Sequence, residues 1–303
     1  MKILNFGSCN IDYVYLLDHI VKEGETETGE SLEIFPGGKG LNQSVAASRA
    51  GGKVYHAGYI GEDGDFLKEI LSDSGVDTSF LKKTCVKNGH AIIQVGSKGE
   101  NSIFLYPGSN RVLTKEYIDF VLGHFEQEDF VLLQNETNLV PHIIEKACEK
   151  GMKVIFNPSP IDENIKKVDF RKISYLILNE IEAREISSCS QPKEALAYFR
   201  EKYPSLSVVL TLGEKGCVFM DKEGEISHSA FSVKVVDTTG AGDTFTGYFI
   251  ALLCAGEKME SVLKKASAAS AIAVSRKGAS PSIPLADEVN FALKKFENEG
   301  FLI

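Results

Sequence analysis

For most of the chain, short runs of β-branched, aromatic and leucine residues alternate with longer stretches whose apolar positions recur every three or four residues. The compact runs predict strands at 2–6, 53–57, 130–134, 153–157, 175–179, 208–212 and 217–220. Helical spacing between them predicts helices near 41–50, 66–74, 115–125, 141–150, 193–203, 241–255 and 261–276. Strands that alternate with helices need crossover connections, so the expected class is α/β, with a mainly parallel sheet covered by helices on both faces. Ligands in such sheets bind beyond the carboxyl ends of the strands. The stretches "NPSP" (157–160), "NEIE" (179–182), "TLGEKG" (211–216) and "DTTGAGD" (237–243) all follow strands or open helices.

Two regions break the rhythm. "IDYVYLL" and "ETGESLEIF" form one pair of extended segments, and "HAIIQVGSKGENSIFLY" reads as a hairpin around a Ser-Lys-Gly-Glu-Asn turn. Neither pair carries a helix, so the four strands are expected in a small separate sheet built from segments 11–36 and 88–108 of one domain spanning 1–303. A flap over a site and a dimer contact are both uses for it, and they are compatible, because an exposed sheet needs a cover.

The totals narrow the class of protein. A net charge of −9 argues against nucleic acid or an anionic membrane as partner, since both reward clustered Lys and Arg. The six cysteines (9, 85, 148, 189, 217 and 254) contain no C-x-x-C pair, which fits a reduced cytoplasmic protein. The opening "MKILNFGSCNID" lacks the apolar run of a signal peptide and reads as a first strand, and the longest apolar stretches fall short of a membrane span.

Four stretches bear on chemistry. In "PGGKGLNQSVAASRAGG" (36–52), adjacent glycines allow close backbone approach, and Lys39 and Asn42 stand where a helix begins, able to bond hydroxyl groups; an ordinary Gly-rich turn is the plainer reading. In "NEIEAREI", Glu182 falls in a first helical turn, where it either caps the helix or orders water on Mg²⁺. Arg276 and Lys277 in "SRKGASPS" complement a helix C-terminus, and carbonyls around Gly278 are alternative ligands for a monovalent cation. In "VDTTGAGDTF" (236–245), the N–H groups of Gly240, Ala241, Gly242 and Asp243 converge at a helix N-terminus, an anion site made of unpaired donors. The lysine of the usual phosphate loop is absent and a carboxylate is present. An aspartate at a helix start is also a routine N-cap. In a phosphoryl-transfer site it would instead accept the proton of an attacking hydroxyl.

In this order, from "GSCNID" to "RKGASPSIP", these elements resemble the ribokinase-like, or phosphofructokinase-B, family of sugar and nucleoside kinases. The resemblance covers nearly the whole chain and rests most on "GGKGLNQSVAASRAGG" and "DTTGAGDTF". It implies a three-layer α/β sandwich with a β-sheet lid, and transfer of phosphate from ATP to a sugar hydroxyl. The pattern G-G-K-G-x-N-Q points to the O5 hydroxyl of D-ribose, with 2-deoxyribose, fructose, tagatose or a nucleoside as alternatives. By position, Asn10, Asp12, Gly38, Lys39, Asn42 and Glu136 would hold the sugar. Asp243 would be the base, with Gly240, Ala241 and Gly242 as the anion hole. Asn179, Thr211, Gly213, Gly216 and Ser267 would contact the nucleotide, and Glu182 would order Mg²⁺. Asp237, Thr239, Ala273, Arg276, Gly278 and Ser282 match an activating K⁺ site. A homodimer through the lid is the family's common assembly. This sequence departs from the pattern at Ser267, where asparagine or histidine is usual, at Thr246, and in the tyrosines at 13 and 15.

A dinucleotide-dependent oxidoreductase needs G-x-G-x-x-G after its first strand, and here that stretch reads "FGSCNID". A sugar sensor without catalysis would have no need of Asp243 beside an intact anion hole.

Overall fold

The computed structural model describes residues 1–299. Its strands are β1 (Ile3–Phe6), β2 (Asn10–Leu16), β3 (Ser31–Gly37), β4 (Val54–Ile60), β5 (Asp77–Lys83), β6 (Gly89–Val95) and β7 (Asn101–Tyr106). They continue with β8 (Phe130–Gln134), β9 (Lys153–Asn157), β10 (Tyr175–Asn179), β11 (Ser207–Thr211), β12 (Cys217–Met220) and β13 (Glu225–His228). The helices are α1 (Lys39–Arg49), α2 (Asp65–Asp73), α3 (Lys115–Leu122), α4 (Val140–Glu149), α5 (Glu180–Ser187), α6 (Pro192–Lys202), α7 (Ala241–Cys254), α8 (Met259–Val274) and α9 (Ala286–Glu299).

A central sheet has the order β13-β12-β11-β10-β9-β8-β1-β4-β5. All its pairs from β11 to β5 are parallel, and only the β11–β12 and β12–β13 pairs are antiparallel, so β12 alone runs against the rest. Parallel strands need both faces covered, which is why β1 and β8 are buried at every position. Alternate residues feed two cores. Ile3, Leu132, Ile155 and Val209 pack with α1, α7, α8 and α9, while Leu4, Leu133, Phe156 and Leu178 pack with α3, α4, α5 and α6. The result is the expected three-layer arrangement. From β1 the chain builds outward through β4 to β5, then returns to the other side of β1 at β8, so the strand order reverses between β1 and β8. A crevice opens at such a point beyond the carboxyl ends.

The other sheet, β3-β2-β6-β7, is the four-stranded lid expected from the two helix-free regions. Its central pair β2–β6 is parallel, flanked by antiparallel partners. Leu32, Ile34, Ile103, Phe104, Leu105 and Tyr106 leave its outer strands exposed and apolar. No helix among the described residues is long and apolar enough to cross a membrane.

The helix pair α1–α7 positions the site. Gly247 lets α7 press onto α1: a Cβ there would lie 2.4 Å from Ala46 Cβ and 2.7 Å from the Gln43 carbonyl oxygen. Gly40 does the same for α1 against β1, where a Cβ would meet the Ser8 nitrogen at 2.2 Å. Two close approaches thus fix the starts of α1 and α7 side by side beyond the ends of β1 and β8.

Candidate active site

The α7 N-terminus is capped by Gly240 in a left-handed conformation (φ 74°), and no side chain caps it. The Gly240 carbonyl accepts from the Thr244 N–H at 2.8 Å and the Thr244 hydroxyl at 2.9 Å, closing the first turn. Asp243 is the third helical residue and not the cap. Its carboxylate turns toward α1, where Oδ2 accepts from Asn42 Nδ2 at 3.1 Å and Oδ1 from Gln43 Nε2 at 2.8 Å. A capping role is therefore ruled out, and the carboxylate shares a cavity with Ala241, whose N–H donates to the Thr238 carbonyl at 3.3 Å, and with Gly242.

These groups line a cavity of about 240 Å³. Lys39, Asn179, Glu182 and Thr211 reach it from α1, β10, α5 and β11. Asn157, Ser159 and Thr246 line it too. Glu182 completes a capping box with Asn179: Glu182 Oε2 accepts from the Asn179 N–H, and Asn179 Oδ1 from the Glu182 N–H, both at 2.9 Å. The capping reading of Glu182 is thus correct. The box uses one carboxylate oxygen, and the residue still lines the cavity.

The second half of the site lies at the strand reversal. Glu136, just past β8, accepts from the Ser8 hydroxyl past β1 and from the Lys39 N–H at 3.0 Å. Asn10 Oδ1 accepts from Asn110 Nδ2 at 2.6 Å at the foot of the lid. Asp12 sits over Gly37, where any Cβ would strike its carboxylate. Burial, then Glu136 and Asp243, push the Asp12 carboxyl up to about 7. Burial also raises the Glu136 carboxyl, against the Lys39 ammonium and the Ser8 and Lys39 hydrogen bonds. Burial disfavours the Lys39 ammonium, but Asp243, Glu136 and Glu182 outweigh it and hold the amine above its ordinary value. Asp12, Lys39, Glu136 and Asp243 thus feel one another across a single electrostatic site.

The remaining predicted residues fall in three places. Gly213 opens a short 3₁₀ turn after β11, and Gly216 follows it with φ 100°. Ser267 is buried in α8 with its hydroxyl 3.7 Å from Cys217 Sγ, and it does not line the cavity. The residues matched to a cation site form one loop pair beside the anion hole. Asp237 Oδ1 accepts from the Thr239 N–H (2.9 Å) and hydroxyl (2.6 Å), and Oδ2 from the Gly278 N–H (2.9 Å). Ala273 O accepts from the Arg276 N–H at 3.0 Å, the Arg276 guanidinium reaches Ser282 O at 3.5 Å, and a Cβ on Gly240 would lie 3.1 Å from Ala279.

A family model described as pfkB family carbohydrate kinase matches residues 1–286. The chain belongs to the pfkB family of carbohydrate kinases. Within it, the chain is 36% identical over 297 residues to a ribokinase of Haemophilus influenzae, covering 93% of this chain and 95% of that one. It is 32% identical over 301 residues to a deoxyribokinase of Salmonella typhi, covering 96% of this chain and 98% of that one. The fold matches the structure of Arabidopsis thaliana ribokinase complexed with ribose and ATP, with a TM-score of 0.86, 29% identity and coverage of 97% and 98%. A pfkB carbohydrate kinase transfers phosphate to a sugar.

Proposed function

We propose that this chain is an ATP-dependent ribokinase that phosphorylates the O5 hydroxyl of D-ribose. The observation that carries the reading is the Asp243 carboxylate, held by Asn42 and Gln43 beside the uncapped N-terminus of α7. The ribokinase relatives and the ribose and ATP of the Arabidopsis complex support it.

In this reading the sugar lies between the lid and α1, with its hydroxyls on Asn10, Asp12, Gly38, Lys39, Asn42 and Glu136. Asp243 takes the O5 proton as O5 attacks the γ-phosphorus. The O5–P bond forms, the bond from phosphorus to the β-phosphate oxygen breaks, and ADP leaves with that electron pair. The N–H groups around Gly240, Ala241 and Gly242 stabilise charge on the moving phosphoryl oxygens, aided by the helix dipole. Asn179, Thr211, Gly213 and Gly216 serve the nucleotide. The free oxygen of Glu182 suits the water shell of Mg²⁺, which when bound offsets the phosphate charge. Asp237, Thr239, Ala273, Arg276, Gly278 and Ser282, several through main-chain carbonyls, would supply oxygen donors to K⁺ as activator. The apolar outer strands of the lid suit a homodimer contact, and the enzyme works in the cytoplasm.

The test is a coupled ADP-release assay with ribose, 2-deoxyribose, fructose, tagatose and adenosine. Ribose is expected to give the highest kcat/KM. Higher turnover of 2-deoxyribose would move the chain to the deoxyribokinase side of the family.

Asp12 makes sugar affinity depend on pH. Its carboxyl loses its proton near pH 7 in the free protein. Hydroxyl groups donate best to the ionised form, so bound sugar favours proton loss and binds more tightly as pH rises. Calorimetric titration with ribose should show Kd falling between about pH 6 and about pH 8. A Kd flat across that range removes Asp12 from sugar recognition.

A further inference from the structure

The geometry points to Gln43 as a positioning residue that holds the Asp243 carboxylate through a chain of buried amides whose orientation the main chain dictates. The inference rests on the reading of Asp243 as the base. Asn5, Gln43 and Gln134 are between 0% and 1% exposed, so no bulk water competes for their hydrogen bonds. The Gly40 carbonyl can only accept, so Asn5 must turn Nδ2 toward it (2.8 Å), which leaves Asn5 Oδ1 for Gln134 Nε2 (3.1 Å). The same Gln134 amide nitrogen donates to Gln43 Oε1 at 2.7 Å. With its oxygen so occupied, Gln43 can offer only N–H to Asp243. A second pin is independent of the first. Asn157 Nδ2 donates to the Ile177 carbonyl at 2.9 Å, so its Oδ1 faces Gln43 Nε2 at 3.0 Å and again demands a donor there. Two carbonyls on different strand–helix units thus fix one side chain, and the amide dipoles of Gln134 and Gln43 align toward the carboxylate and reinforce each other. Asn42 holds the other oxygen but is also the residue assigned above to a sugar hydroxyl; Gln43 is fully buried and carries no such assignment.

The test is a double-mutant cycle of Gln43→Met with Asp243→Asn, read as kcat and KM for ribose and ATP. Alone, Gln43→Met is expected to lower kcat roughly tenfold or more, the usual worth of a bond to a charged group, with both KM values nearly unchanged. In the Asp243→Asn background it should cost no further turnover, because its effect runs through that carboxylate. Equal losses in both backgrounds, a loss expressed in KM alone, or no loss in the parent enzyme would each overturn the proposal. If Gln43→Met does not fold, Gln43→Glu keeps the shape and replaces the donor, and the same cycle is read with it. Full activity of Asp243→Asn alone sinks the base reading and this inference with it. An Asp243-dependent enzyme with a silent Gln43→Met sinks only the positioning role.

Discussion

Asp243→Asn is expected to lower turnover at least about 100-fold while ribose affinity stays near that of the parent, because a general base contributes about 10²–10⁴-fold. The substitution keeps the side chain's size but removes its capacity to take the O5 proton. It also creates a local conflict. Both oxygens of Asp243 accept from amide donors, Asn42 Nδ2 and Gln43 Nε2. An asparagine must turn its own –NH₂ toward one of them, leaving that donor unpaired at a cost of about 1–3 kcal/mol. The variant should therefore be both slower and somewhat less stable, and the two effects separate by measuring kcat at a temperature well below its unfolding midpoint. Turnover within a few-fold of the parent would mean that the proton leaves by another route.

Gly247→Val is expected to damage both the fold and the site. Its Cβ would lie 2.4 Å from Ala46 Cβ and 2.7 Å from both the Ala47 nitrogen and the Gln43 carbonyl oxygen. Two of those three atoms are backbone, so the contact is relieved only by driving α7 off α1. Overpacking of a tight core costs typically 1–3 kcal/mol, and backbone contacts put this case at the upper end, about 3 kcal/mol. For a chain of this size the thermal midpoint should fall by roughly 5 °C. Activity should fall as well, because the displaced pair carries Asn42 and Gln43 on one helix and Asp243 on the other. Scanning calorimetry and the ADP-release assay check the two halves. An unchanged midpoint would show that the helices have slack at the crossing.

The buried strands were the most legible part of the sequence. The predicted strands at 130–134, 153–157 and 175–179 coincide with β8, β9 and β10, because strands covered on both faces are apolar runs with polar ends. The lid was visible as two helix-free regions, and its strands pair as one sheet. β5 was not predicted. It is an edge strand that buries only Phe80 and Leu81 and carries Asp77, Lys82 and Lys83, so its polarity hides it. β13 is four residues long and also ends the sheet, which leaves little pattern to read. α9 carries helical spacing at Val289, Ala292, Leu293 and Phe296, a signal present in the sequence but outside the predicted helices.

The site divides in the same way. Lys39, Asn179, Glu182, Thr211 and Asp243 each sit in a local motif, and the five line one cavity. Gln43 and Asn157 went unassigned. Their roles depend on hydrogen bonds across 200 and 114 residues of sequence, which no local spacing encodes. "NPSP" carries no ionisable group to mark it, yet its Asn157 and Ser159 line the cavity. Its place at the end of β9 was the one available signal. Ser267 follows a family position, but here its hydroxyl meets Cys217 in the core.

Transfer of phosphate from ATP to the primary hydroxyl of ribose can be followed by ³¹P nuclear magnetic resonance of the reaction mixture. A new phosphate monoester resonance coupled to the two protons on C5 is expected as ADP accumulates. A resonance coupled to a single proton would place the phosphate on a ring or anomeric hydroxyl. Inorganic phosphate as the only product would contradict transfer to the sugar outright.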